Sequence, residues 1–183
     1  MEKLCIITQD VHCSSKGVGV SGKIYSGTLN VGDKLVLPEG SGVVLTRCRG
    51  IVYEKTKTFT AQATVGDNVI VILPANVIFS AANLPFIWGE NTPRHSKLRI
   101  SVNADAEQQK ELSEKLKKLN FGKVLFPDFG KELYGAGKVI GFFEKYCEVL
   151  IELLYPLWIF PNQIVELSKD GEKLLQGKIV ELL

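Results

Sequence analysis

Arginine, histidine and net charge are all scarce in this chain, and each scarcity narrows the classes of function. Only Arg47, Arg49, Arg94 and Arg99 carry a guanidinium. Lysine supplies the rest of the positive charge, which favours solvated surface over the planar, bidentate clamps that arginine makes on phosphate. Lys+Arg 22 against Asp+Glu 20 leaves a formal net charge of +2, so any RNA contact has to come from a local patch. His12 and His95 are the only imidazoles, which leaves little for acid–base catalysis near neutral pH. The four cysteines, Cys5, Cys13, Cys48 and Cys147, form no C-x-x-C pair. Their wide spacing fits reduced thiols and a cytoplasmic setting. No stretch reaches the ~18 apolar residues of a membrane span, and residues 1–10 lack the apolar core of a signal peptide. The most apolar window, 147–161, is broken by Glu148, Glu152, Pro156 and Pro161 and reads as core strand and turn. No membrane partner is expected.

Catalytic constellations are missing as well. The P-loop pattern G-x-x-x-x-G-K-S/T needs a hydroxyl after the lysine to reach magnesium. Here the Gly-Lys pairs at 22–23, 122–123, 130–131, 137–138 and 177–178 are followed by Ile, Val, Glu, Val and Ile. The glycines of residues 16–22 precede strand-like sequence, so no helix N-terminus follows them to receive a pyrophosphate. His12 and Cys13 are adjacent on a strand and point to opposite faces, which spoils an imidazole–thiol pair. Cys5, His12, Cys13 and Cys48 have no zinc-ligand spacing. Glu111 and Glu114 read as a solvated helix face, and Asp33 and Asp67 as turn residues that cap backbone N–H groups. The chain is expected not to be an enzyme, and to hold no metal.

What is present is strand grammar. Lys3–Thr8, Val18–Ser26, Lys34–Leu37, Val43–Tyr53, Asn68–Leu73 and Leu84–Trp88 are short β-branched runs separated by Gly, Asp, Asn or Pro, the pattern of an all-β barrel. Residues 89–96 are polar, contain Gly and Pro, and read as a linker, giving domains over 1–90 and 96–183. The second part opens with a strand at Lys97–Val102 and then changes period. Leu112, Leu116 and Leu119 recur at helical spacing, Asp105 is an N-cap candidate and Gly122 lies past the end, so a helix is expected over about 105–119. Strands follow at Lys123–Phe126, Lys138–Phe143, Cys147–Leu153, Gln163–Leu167 and Lys173–Leu182, with Asp170-Gly171 as a hairpin turn. The expected fold is mostly β: two β-barrel domains, the second carrying one helix.

Residues 17–33 follow G-x-x-x-x-G-x-(I/V)-x-x-G-x-(I/L)-x-x-G-D through Gly17, Gly22, Ile24, Gly27, Leu29, Gly32 and Asp33. About 35 residues on, Ala63-Thr64-Val65-Gly66-Asp67-Asn68-Val69 follows A-x-x-G-D-x-V. Together these motifs resemble the second domain of translational GTPases: elongation factor Tu and 1-alpha, the selenocysteine-specific factor, and termination and rescue factors. The Cys48-Arg49-Gly50-Ile51 run leans towards the selenocysteine-specific branch. Residues 148–183 resemble the end of the third domain in architecture, whereas the helix departs from that domain's β-only barrel. The domain that binds GTP and magnesium does not accompany the two barrels, so the resemblance implies no cofactor in this chain. It describes either an excised fragment or a stand-alone relative. Where elongation factors often carry Leu-Arg-Gly, this chain has Leu73-Pro74-Ala75, and the family arginine is lost.

The resemblance implies a non-catalytic module of protein synthesis that binds tRNA, ribosomal RNA or a partner GTPase domain. Arg47 and Arg49 alternate on one expected strand and Lys16, Lys55 and Lys57 flank it, so the five are RNA- or ribosome-binding candidates. The competing reading makes them the wet side of a barrel that has become a protein-interaction module. In that reading Phe86 and Trp88, or Trp158 and Phe160, would mark the contact area. Gly17, Gly22, Gly27, Gly32, Asp33, Gly66 and Asp67 are structural in either case.

Overall fold

The computed structural model describes residues 3–39, 42–76, 86–117, 122–127, 130–157 and 162–183. The chain divides into two compact units, Met1–Thr92 and Pro93–Leu183, and both are built almost wholly of strands.

In the first unit the strands are β1 (Cys5–Ser14), β2 (Gly17–Ser26), β3 (Thr28–Asn30), β4 (Lys34–Glu39), β5 (Gly42–Arg47), β6 (Gly50–Tyr53), β7 (Phe59–Thr60), β8 (Gln62–Thr64), β9 (Asn68–Leu73) and β10 (Phe86–Gly89). Eight of them form one curled half-barrel sheet in the order β5-β4-β10-β1-β2-β9-β6-β7, and β3 pairs with β8 in a separate two-stranded ribbon. Alternation along β9, with Val69, Val71 and Leu73 buried, supplies one stripe of the core. Ile6, Val20, Ile24, Leu29, Leu35, Leu37, Ile51 and Ile87 complete it, all inaccessible to solvent. The expected single strand over 43–53 is two strands, because Cys48 and Arg49 leave β5 to join β6 far along the same sheet. Phe86 and Trp88 stack at 5.9 Å and are buried, so they are core and not contact surface. Trp158 and Phe160 lie outside the described residues.

The second unit contains β11 (His95–Asn103), α1 (Ala106–Lys117), β12 (Gly122–Phe126), β13 (Lys131–Phe142), β14 (Tyr146–Leu157), β15 (Ile164–Lys169) and β16 (Glu172–Leu182). These strands close into a barrel, β11-β14-β13-β12-β15-β16, which removes free edges. Asp105 caps α1 in a reciprocal box: its carboxylate accepts from Gln108 N–H at 2.9 Å, and Gln108 Oε1 accepts from Asp105 N–H at 3.0 Å. Leu112 and Leu116 are buried, worth about 1.5–3 kcal/mol each. Room for Leu116 comes from Gly137, where a Cβ would sit 3.3 Å from Leu116 Cδ2 and 2.9 Å from Leu167 Cδ2. Gln109, buried on the same helix, donates from Nε2 to the carbonyls of Ala104, Phe143 and Tyr146. That ties α1 to the β13–β14 turn. The Asp170-Gly171 turn between β15 and β16 has φ of 51° and 84°, the left-handed pair of a type I′ hairpin.

Residues 89–96 are less of a spacer than their composition suggests. Gly89 ends β10, His95 opens β11, and Thr92 is buried with its hydroxyl donating to Leu4 O at 3.2 Å.

Candidate nucleic-acid interface

The two Gly-Asp motifs build the same turn twice. In Asn30-Val31-Gly32-Asp33, Asp33 N–H donates to Asn30 O at 3.2 Å while Asp33 Oδ2 accepts from Asn30 N–H at 2.8 Å. In Thr64-Val65-Gly66-Asp67 the corresponding bonds are 3.1 Å and 2.8 Å. Gly32 and Gly66 have φ of 96° and 93°, the left-handed third position of a type II turn that favours glycine. Each turn then brackets a buried residue through two backbone bonds. Gly32 N–H and Asp33 O hold Cys48, and Gly66 N–H and Asp67 O hold Ile24. The turns leave the same strand pair, β3–β8, from its two strands, so the motifs fix the sheet corners.

The other motif glycines make room for backbone. At Gly22 a Cβ would fall 2.6 Å from Ile7 O, beside the bulge between β1 and β2. At Gly17 it would fall 2.7 Å from Leu73 O, and at Gly27, where φ is 72°, 2.8 Å from Leu4 Cα. All seven motif residues therefore act on the fold.

The five basic candidates are exposed but do not form one cluster. Arg47 ends β5 and its Nη1 donates to Gly32 O at 3.2 Å. Arg49 lies in the connection to β6, its N–H bonded to Ile72 O at 2.8 Å. The expectation that both alternate on one strand fails because the strand breaks between them. Lys16 occupies the β1–β2 turn next to Gly17, which abuts Leu73. Lys16 and Arg49 thus flank the C-terminal end of β9. Lys55 and Lys57 sit in the β6–β7 turn, where Glu54 N–H bonds to Asn68 O at the opposite end of β9. The five residue steps from Asn68 to Leu73 separate the two groups by about 17 Å of strand.

Charge pairing differs between the units. Among the described residues, ion pairs are frequent in the second unit, such as Arg99–Glu181 at 2.6 Å and Lys173–Glu166 at 2.7 Å, while the first unit has Lys34–Glu90 at 2.9 Å. Among the described residues no carboxylate comes within ion-pair distance of Lys16, Arg47, Arg49, Lys55 or Lys57. Two of that unit's carboxylates, Asp33 and Asp67, are engaged by their turns. The two units carry nearly equal and near-zero net charge, so what distinguishes the first is that these five cations stand outside the ion pairs of the described residues.

Thiol chemistry is suppressed by burial. Desolvation pushes the Cys5 thiol up to about 12 and Cys48 up to about 11, and raises Cys147. Cys13 is exposed. Among the described residues no group of three His, Cys, Asp or Glu side chains could hold a metal, and no helix is long and apolar enough to cross a membrane.

One surface escaped the sequence reading. In the second unit a groove of about 930 Å³ runs beside α1, lined among others by Gln108, Lys115, Gln176 and Lys178. Its residues come from three separate segments, and no local pattern announces such a convergence.

No model of a known protein family matches the sequence, and no curated protein matches it. In structure, the whole chain is similar to part of a bacterial selenocysteine-specific elongation factor, with a TM-score of 0.69 at 18% sequence identity. The match covers 100% of this chain and 28% of that one. At that identity the likeness is one of fold: the chain has a translation-factor-like fold, two successive β-barrel units that correspond to a little over a quarter of an elongation factor.

Proposed function

We propose that this chain is a non-catalytic module of the protein-synthesis machinery, whose first barrel contacts the phosphate backbone of tRNA or ribosomal RNA. The observation that carries this reading is the fold likeness to an elongation factor along the entire chain. The five cations of the first unit that stand outside the ion pairs of the described residues supply the chemistry. Lys16 and Arg49 flank one end of β9, with Arg47 two residues from Arg49, and this group meets one stretch of backbone. Lys55 and Lys57 reach phosphates farther along. In this reading GTP and magnesium belong to a separate GTPase domain, which is a second partner, and the module works in the cytoplasm. Nothing in it requires catalysis by the chain itself.

Phosphate contacts of this kind carry a salt signature. Five neutralised phosphates give a slope of log affinity against log salt of about −3.5 to −4.5. Filter binding of total tRNA and of ribosomes over a salt series tests the reading: the expected result is binding with that slope, and its absence removes the RNA role. A protein-interaction reading draws support from Leu73-Pro74-Ala75 in place of a basic residue and from the open sheet edge described next.

A further inference from the structure

The eight-stranded sheet ends in two edges that are protected very differently. At one edge β7 is two residues long, and a short edge strand is a standard defence against pairing with another chain. At the other, β5 runs six residues, Gly42–Arg47, in unbroken register against β4 with no bulge. Val43 is 37% and Leu45 62% exposed. No proline, no bulge and no charge before Arg47 guards this strand.

Among the described residues nothing pairs with the outer side of β5, and the direction of its backbone groups follows from one bond. Lys34 O accepts from Glu90 N–H at 3.1 Å, so Lys34 aims its backbone groups at β10 and away from β5. Lys34 is opposite Arg47, which makes theirs a non-hydrogen-bonded pair. Arg47, and at period two Leu45 and Val43, therefore turn their N–H and C=O groups outward. Pro38 lies opposite Val43 and, having no N–H, fits the same phase. The three residues with outward backbone are those with exposed side chains.

We propose that β5 is a docking edge for an extended segment of a partner protein, added antiparallel as a ninth strand, with apolar residues facing Val43 and Leu45 and an acidic residue facing Arg47. Charge selects the acid: Arg47 has no carboxylate partner among the described residues, whereas Lys34 beside it is neutralised by Glu90. Charge also argues against a second copy of this chain, because β5 itself, GVVLTR, holds no acidic residue to set opposite Arg47. An antiparallel segment enters at the Arg47 end, so its acidic residue lies at its N-terminal side.

The proposal does not depend on RNA binding, and Leu45→Pro separates the two. Leu45 N–H points outward, so the variant removes one docking donor and leaves the β4–β5 ladder and every charge intact. The probe is a short fluorescent peptide of alternating valine and threonine with glutamate at its N-terminal end, measured by anisotropy. Its control carries glutamate at the C-terminal end.

The expected result is at least tenfold weaker binding of the control peptide, and the same loss for Leu45→Pro, whose melting stays within a few degrees and whose RNA affinity is unchanged. Arg47→Glu is expected to lose the glutamate peptide and bind its N-terminal lysine counterpart. Equal binding of both peptides, binding indifferent to Leu45→Pro, or no binding overturns the proposal. So does a concentration-dependent dimer that Leu45→Pro abolishes, which would assign the edge to self-pairing.

Discussion

Replacing Gly32 by alanine tests whether conformation or space dictates the turn glycines. The structure separates the two causes. At Gly32 a Cβ meets nothing within 4 Å, but φ is 96°. The only penalty is therefore the left-handed backbone, about 1–2 kcal/mol for an L-residue other than glycine. For a unit of about 90 residues this lowers the melting temperature by about 5–10 °C. Gly32→Asn is expected to recover about half of that, since asparagine tolerates this region better. Gly22 is the opposite case: the Cβ would fall 2.6 Å from Ile7 O and 3.1 Å from Thr8 Cα, contacts with backbone that cannot rotate away. Gly22→Ala is expected to cost about 3 kcal/mol, and asparagine there to be worse than alanine. Differential scanning calorimetry of the four variants ranks Gly32→Asn, Gly32→Ala, Gly22→Ala, Gly22→Asn in falling stability. If Gly32→Ala costs as much as Gly22→Ala, or asparagine fails to rescue Gly32, the reasoning about the turn is wrong.

Three further outcomes follow from the same structure. In native protein at pH 8 an aromatic disulfide reagent is expected to titrate one thiol rapidly, Cys13, with Cys5, Cys48 and Cys147 reacting only on unfolding. Because burial raises Cys5 and Cys48 above the ordinary thiol value of 9.0, their contribution to stability is complete below that value and is lost as pH rises towards 11 and beyond. Urea midpoints of wild type and a Cys5→Val, Cys48→Ala variant measured across that window should converge. Gln109→Leu is expected to destabilise the second unit by about 2–3 kcal/mol, since the carbonyls of Ala104, Phe143 and Tyr146 lose their shared donor. Urea denaturation measures the cost, and amide exchange should show the helix start and the β13–β14 turn loosening together.

The parts of the fold written in local chemistry were legible in the sequence. Gly32-Asp33 and Gly66-Asp67 declare their turns because each needs a left-handed glycine and a carboxylate aimed back along the chain. Asp105 and the leucines declare α1, and Asp170-Gly171 declares its hairpin. Non-local features were not legible. Cys48 and Arg49 read as the middle of a strand because their own alternation is sound; only the bonds from Cys48 to Asp33 and from Arg49 to Ile72 show the chain leaving one edge for the far side of the sheet. The division of the five basic candidates into two groups was hidden for the same reason: sequence places Lys16, Lys55 and Lys57 around a strand, but register along β9 decides which end each occupies. Aromatics such as Phe86 and Trp88 are more often core than contact surface, and here both are buried.

In the proposed function the first barrel meets RNA chiefly through the cations at the C-terminal end of β9. Salt slopes for tRNA binding are compared between wild type, a Lys16→Gln, Arg47→Gln, Arg49→Gln variant and a Lys55→Gln, Lys57→Gln variant. The triple variant is expected to flatten the slope by about 2–3, and the double variant to remove less. Identical slopes in all three proteins would contradict that reading.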